Sequence, residues 1–177
     1  MDAGSIALRD ERPEDEEFLL ILYASTRALE MARVPWDDVQ KDAFVRMQFQ
    51  LQTAHYRRYF PNASFRIVLA GDRPIGRLYV APVSDGLNLM DISLLPGWRN
   101  RGIGGSLVTT VMRESEALGA PVTLHVELDN PALHLYRRLG FREVEMRGAH
   151  ILMEWRPGRL AAAPEAALQH QEPSSSR

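Results

Sequence analysis

Arg99 and Arg101 lead into a glycine cluster at 102, 104 and 105, and an apolar-periodic segment follows without a break. The combination suits an anion. The start of a helix leaves backbone N–H groups without partners and carries partial positive charge, so phosphates bind there readily. Glycines lack the Cβ that would hold a phosphate away from those N–H groups. The two guanidinium groups add full charges that pair with phosphate oxygens. The competing account is a tight turn that binds nothing. Among phosphate loops, a Walker A segment needs Gly-Lys-Ser/Thr after four spacers, and the chain has none. A dinucleotide fingerprint needs G-x-G-x-x-G, and Leu107 stands where its third glycine belongs.

Residues 99–104, RNRGIG, fit a third pattern, Arg/Gln-x-x-Gly-x-Gly/Ala, at every position. One predicted helix and one predicted strand later, residues 130–141, NPALHLYRRLGF, present an asparagine, a tyrosine and a closing Gly-Phe. Together the two segments resemble the motifs of the GNAT superfamily of acyl-CoA-dependent N-acyltransferases. The resemblance covers most of residues 5–155 in element order and is motif-specific over residues 87–141.

The resemblance implies acetyl-CoA as co-substrate, with direct transfer of the acetyl group to an amine, either a small molecule or a peptide. It places the pantetheine arm on backbone groups of Ile92, Ser93 and Leu94, a strand-addition mode that needs no particular side chains. It lays the pyrophosphate on the backbone N–H groups of Arg99, Asn100, Arg101, Gly102, Ile103, Gly104, Gly105 and Ser106, with the Arg99 side chain also available to phosphate. Asn130 would hydrogen-bond the pantetheine, although an Asn there also reads as a helix cap. Tyr136 takes the role of general acid, a phenol donating a proton to the thiolate expelled from a tetrahedral intermediate. A tyrosine packed toward the core with Leu139 is the alternative. Many family members carry a Glu near the position of Asn88, whose amide cannot act as a base. Glu127 is the leading remaining candidate for the base. His125 shares its strand face, and Asp91 is expected on the strand of Asn88 but on the opposite face. A non-catalytic acyl-CoA or protein binding module on the same fold is the second reading.

These residues need elements to hold them. Residues 5–11 read as a first strand. Pro13 and the acids at 14–17 start a helix, whose apolar face is read through Phe18, Ile21, Leu22, Ser25 and Leu29. A second helix is expected over 37–59, with Phe44, Met47 and Leu51 among its apolar residues. Residues 64–70 and 73–81 are expected to form a hairpin around Gly71 and Asp72, and 87–95 a third strand. The helix after the glycine turn buries Ile103, Leu107, Val108, Val111 and Leu118, with Gly119 as its C-terminal cap. In the strand over 121–128, Val122, Leu124, Val126 and Leu128 face one way and Thr123, His125 and Glu127 the other. A short helix over 130–140 and a closing strand pair around Gly148 follow. The order predicts an α+β domain with a mixed sheet and helices on both faces. The acceptor is expected among Gln48, Gln52, His55, Tyr56, Trp36 and His150. This domain is expected to span 1–156, and 157–177 to be a disordered tail.

Composition narrows the rest. At 177 residues the chain can bury one sizeable core. A net charge of -2 offers no global field for nucleic acid or anionic lipid. Interleaved HYRRYF at 55–60 resembles a base-stacking patch, but its arginines also complement a helix C-terminus. The absence of cysteine excludes disulfides and thiolate nucleophiles, which favours direct transfer over a covalent acyl-enzyme. No histidine pairs with another at helical spacing, so no metal is expected. No apolar run is long enough for a membrane span, and the N-terminus lacks a signal-peptide pattern, which together predict a cytoplasmic protein. Proteins resembling this one are commonly dimers, so a homodimer stays open.

Overall fold

The computed structural model describes residues 5–158. β1 (Ile6–Asp10) leads through a 3-10 turn at Pro13–Asp15 into α1 (Glu16–Met31) and α2 (Asp38–Tyr59). β2 (Ser64–Ala70), β3 (Arg73–Val83) and β4 (Gly86–Leu94) form a meander. A second 3-10 turn, Pro96–Trp98, precedes α3 (Ile103–Ala117). β5 (Val122–Glu127), α4 (Ala132–Arg138), β6 (Arg142–Arg147) and β7 (His150–Trp155) complete the order. This is the α+β arrangement expected from the sequence. Seven strands form one sheet, β1-β2-β3-β4-β5-β7-β6. Every neighbouring pair is antiparallel except β4 and β5. A parallel pair needs a crossover, and α3 supplies it.

Local signals set the helix starts. Asp15 is buried because it is fully paired: its carboxylate accepts from two Arg9 nitrogens at 2.7 Å and from the Arg12 N–H at 2.8 Å. The Arg9 hydrogen bonds hold its pKa below the usual carboxylate range, against the opposing effect of burial. Asp37 and Gln40 form a reciprocal capping box at α2, with bonds of 2.8 and 3.1 Å. Asp37→Ala is therefore expected to cost about 1 kcal/mol of stability. The measurement is a lower urea midpoint at unchanged slope; an unmoved midpoint would remove the cap from this account.

Helices cover both faces of the sheet. On one, Leu78, Val80, Leu89, Leu124 and Met153 pack against Val108 and Val111 of α3 and Leu133 and Tyr136 of α4. On the other, Leu22 and Tyr23 of α1 pack with Val45 and Phe49 of α2 and with Ile67. The α1 stripe is rotated from the expected one. Leu19, Leu22, Tyr23 and Met31 are buried, whereas Ile21 and Leu29 are 55% and 82% exposed. The run FLLILY is apolar in every direction, so the packing partner selects the stripe. In α2 the expected Met47 and Leu51 are exposed, and Val45 and Phe49 are buried. Leu118 and Leu128 lie just past α3 and β5 and are exposed, against expectation, while the other predicted core positions of both elements are buried. Gly119 takes the left-handed conformation expected of a residue after a helix, with φ +63°. Among the described residues no helix is long and apolar enough to cross a membrane. Apart from Pro157 and Gly158, the segment expected to be a disordered tail lies outside the described residues.

Candidate active site

The site begins with an interruption in the sheet. β4 and β5 pair only at Leu87–Val122, Asn88–Thr123 and Leu89–Leu124. Beyond that, β4 continues to Leu94 with β3 alone, and β5 continues to Glu127 with β7 alone. The break coincides with a β-bulge. Leu89 pairs with Val80 and Asp91 with Tyr79, so Met90 has no counterpart on β3. A bulge bends its strand and ends regular pairing. The result is a wedge whose walls are residues 91–94 and 125–127, with the β4 edge free of hydrogen bonds to β5.

The glycine turn stands at the mouth of this wedge. No backbone N–H from residue 100 to residue 105 has an acceptor among the described residues. At the ends of the expected run, the Arg99 N–H is spent on Pro96 O and the Ser106 N–H on Gly102 O. Asn100 at φ 60° and Gly102 at φ 80° both take positive φ, the kind of backbone from which anion nests are built. Gly102 is required by its backbone conformation. Gly104 and Gly105 are not: a Cβ there would make only ordinary contacts with Leu135 of α4, at 3.9 and 3.4 Å. Neither strain nor helix packing requires a glycine at 104.

Tyr136 of α4 is 6% exposed and packs edge-on against Phe141, with ring centroids 5.7 Å apart. Its hydroxyl makes no hydrogen bond among the described residues, yet it is not one of the sealed polar atoms. Burial, with a smaller contribution from the charge of Asp91, pushes its pKa up to about 12. Asn130 does cap α4: its Oδ1 accepts from the Ala132 N–H at 2.9 Å. At the root of the wedge, Asn88 carries a buried Oδ1 with no partner.

Asp91 stands on the same face as Asn88, not the opposite one. The extra residue at Met90 reverses the alternation expected from an unbroken strand. Its carboxylate accepts from Arg77 at 2.7 Å and from Ser93 Oγ at 2.8 Å. Arg77, 3% exposed, also donates to Gln52 at 2.8 Å. Burial opposes the Arg77 charge, and Asp91 more than restores it, so the arginine pKa is raised. Tyr56 is pushed up to about 12, by burial first and then by Asp91. Glu127 stands on the other wall, 53% exposed by its side chain, with His150 Nε2 at 3.7 Å across the β5–β7 pair.

Sequence reasoning missed the buried Arg77, its pairing with Asp91, and the largely covered Glu11. Glu11 accepts from the Tyr79 hydroxyl at 2.5 Å and from Arg57 at 2.6 Å. Arg57 also lies 3.8 Å over the Phe65 ring, so this arginine of the HYRRYF stretch is engaged within the fold. A lone arginine inside the apolar run IGRLYV was the available signal, since a buried charge demands a partner. The expected acceptor residues do not all converge. Gln52 and Tyr56 lie near Asp91. Trp36 precedes α2 and packs on Phe44, whereas His55 stacks on Tyr59 near its end. Phe44, the anchor of Trp36, and His55 are separated along α2 by about 16 Å at 1.5 Å per helical residue.

Residues 26–141, about two-thirds of the chain, match the family model described as acetyltransferase (GNAT) family. The chain belongs to that family. No curated protein matches it by sequence. It is similar in structure to the PaiA N-acetyltransferase from Thermoplasma acidophilum in complex with coenzyme A, at 19% identity and a TM-score of 0.66 over 86% of this chain and 99% of that one. An acetyltransferase from Thermus thermophilus matches at 20% identity and TM-score 0.60, over 88% and 99% of the two chains. The ribosomal-protein-S18-alanine N-acetyltransferase from Escherichia coli matches at 16% identity and TM-score 0.60, over 89% and 97%. At these identities the likeness shows the fold.

Proposed function

We propose that this protein transfers the acetyl group of acetyl-CoA directly to an amine. The observation that carries the reading is the run of six unpartnered N–H groups, from residue 100 to 105, at the mouth of the wedge. In this reading the pyrophosphate takes those donors, with Arg99 and Arg101 beside it. The pantetheine arm adds to the free β4 edge at Ile92, Ser93 and Leu94. The Asn130 amide NH₂, unused in capping, donates to the same arm. The thioester then lies between the walls of the wedge, near Tyr136.

The amine nitrogen attacks the thioester carbonyl carbon. The tetrahedral intermediate collapses with cleavage of the C–S bond, and the thiolate leaves. Tyr136 stays protonated throughout the neutral range, because its pKa is about 12. It is a weaker acid than a thiol, whose ordinary pKa is about 8.5. Its contribution is therefore a hydrogen bond to the developing thiolate, with transfer of the proton completed as the thiolate re-equilibrates with solvent. Glu127, on the opposite wall, is the proposed acceptor of the amine proton, directly or through water. No single base is needed for an amine that arrives neutral.

Tyr136→Phe removes one hydrogen bond to a charged atom and is expected to slow turnover about tenfold at saturating acetyl-CoA. Acetyl-CoA affinity should stay within twofold, roughly, since binding rests on the nest. Because the phenol titrates far above neutrality, the parent should show no fall in rate from this group between pH 6 and 9, approximately. Equal turnover of parent and variant across that range excludes Tyr136 from the chemistry. The reading as a whole is tested by thiol release from acetyl-CoA over a panel of amines, amino acids and peptides. Tight acetyl-CoA binding without thiol release on any acceptor would favour a binding module.

A further inference from the structure

Arg99 is exposed at the surface but its guanidinium is not free. Nε donates to Leu94 O at 2.8 Å, and Nη2 reaches Ser25 Oγ at 3.1 Å and Ser25 O at 3.4 Å. Nη1 has no partner among the described residues. Leu94 ends β4, the wall proposed to hold the pantetheine, and Ser25 belongs to α1. One side chain therefore joins the phosphate turn, the cofactor strand and a helix of the opposite layer. Ser25 is itself oriented, because its hydroxyl donates to Leu22 O at 2.7 Å and so presents a lone pair to Arg99. The same stretch of α1 carries Tyr23, packed on Phe49 of α2, and Arg27, whose Nε donates to the Tyr23 hydroxyl at 3.3 Å. Arg101 differs: it lies 5.2 Å over the Trp98 ring and makes no such bridge.

We propose that Arg99 is a positioning residue: two of its nitrogens clamp Leu94 and Ser25, the third takes a phosphate oxygen, and cofactor binding thereby tightens α1. The inference rests on the reading of the turn as a pyrophosphate seat. A guanidinium suits the task because its five N–H donors are fixed in one rigid plane. A phosphate on Nη1 fixes that plane and with it the direction of the bonds to Ser25. The effect on α1 is a lower frequency of local opening, which hydrogen exchange reads directly. It gives the cofactor a route to order the α1 side of the acceptor region before an amine arrives.

The experiment is hydrogen–deuterium exchange of the full chain with and without coenzyme A. In the parent, coenzyme A should slow exchange over residues 99–107 and, by about fivefold, over residues 21–31, the lower end of ordinary coupling between sites. Ser25→Ala removes the hydroxyl acceptor and leaves only the long 3.4 Å contact to the Ser25 carbonyl, so coenzyme A should still protect the turn but change α1 by less than about twofold. Ser25→Thr keeps a hydroxyl that bonds the preceding turn in the same way, and should restore the α1 response. Protection of the turn with no α1 response in the parent overturns the coupling and leaves the cofactor reading intact. A full α1 response in Ser25→Ala overturns it as well. If coenzyme A protects neither segment, the cofactor reading fails and the inference fails with it.

Discussion

Gly104→Glu should bind acetyl-CoA at least about 100-fold more weakly than the parent, a loss of roughly 2.7 kcal/mol, while melting no lower. The two halves of that expectation come from opposite effects of one charge. The backbone at 104 is helical, and a Cβ there meets only Leu135 at 3.9 Å, so the side chain enters without a clash in the protein. Glutamate in a first helical turn offsets the positive end of the dipole, worth about 0.3–1 kcal/mol, and replaces a residue of poor helix propensity. The empty protein should therefore be as stable as before, or more so. The same carboxylate fills the approach to the nest and competes for its N–H donors. Calorimetry with acetyl-CoA, paired with thermal melting, separates the effects. Unchanged affinity would show that the pyrophosphate does not sit at Gly104. Weakened affinity with a large drop in melting temperature would show damage to the fold.

Asp91→Ala is expected to lower unfolding free energy by about 3–5 kcal/mol, more than any other substitution proposed for this chain. Arg77 is buried, and Asp91 is the carboxylate that touches it. Truncation leaves a guanidinium facing the Gln52 amide, with its Nε already lacking a partner. The double variant Arg77→Met, Asp91→Leu removes both charges and should regain most of the loss, because apolar replacement of a buried pair is often neutral or better. Urea unfolding of the three proteins measures this. If Asp91→Ala costs no more than an ordinary surface substitution, water must reach Arg77 and the pair is not the anchor described. The comparison also bears on chemistry. Asp91 is already occupied by Arg77 and Ser93, so its first role is to hold β4 in place beneath Gln52 and Tyr56.

The parts of this molecule that were legible in sequence are those written in neighbouring residues. The hairpin at Gly71, the extent of the second helix, the crossover helix after the glycine cluster and the alternation of β5 all depend on local spacing. So does the run of six unpartnered donors, because they come from one short turn. The illegible parts depend on residues far apart in the chain. The buried stripe of α1 could not be chosen from FLLILY until α2 and the sheet were present. The Arg77–Asp91 pair joins two strands and was visible only as an unexplained arginine in an apolar run. The face of Asp91 was misread because a bulge exists only relative to a partner strand, here β3. The wedge is the hardest case: it is an absence of pairing between β4 and β5, and no residue type encodes it.

Met90 changes meaning once that absence is considered. Leu89 and Asp91 already occupy successive faces of β4, as they would in a regular strand lacking Met90. Deleting the residue would therefore turn no side chain around. It would straighten the strand and let β4 and β5 close on each other past Leu89, like a zip freed of the cloth caught in it. The shortened chain would gain main-chain bonds and lose its opening. What this position contributes is a count, one residue too many, and the thioether that happens to fill it is incidental to that effect. A sheet with fewer hydrogen bonds than it could make is, in the proposed function, the working state, and the missing rungs are the space proposed for the thioester.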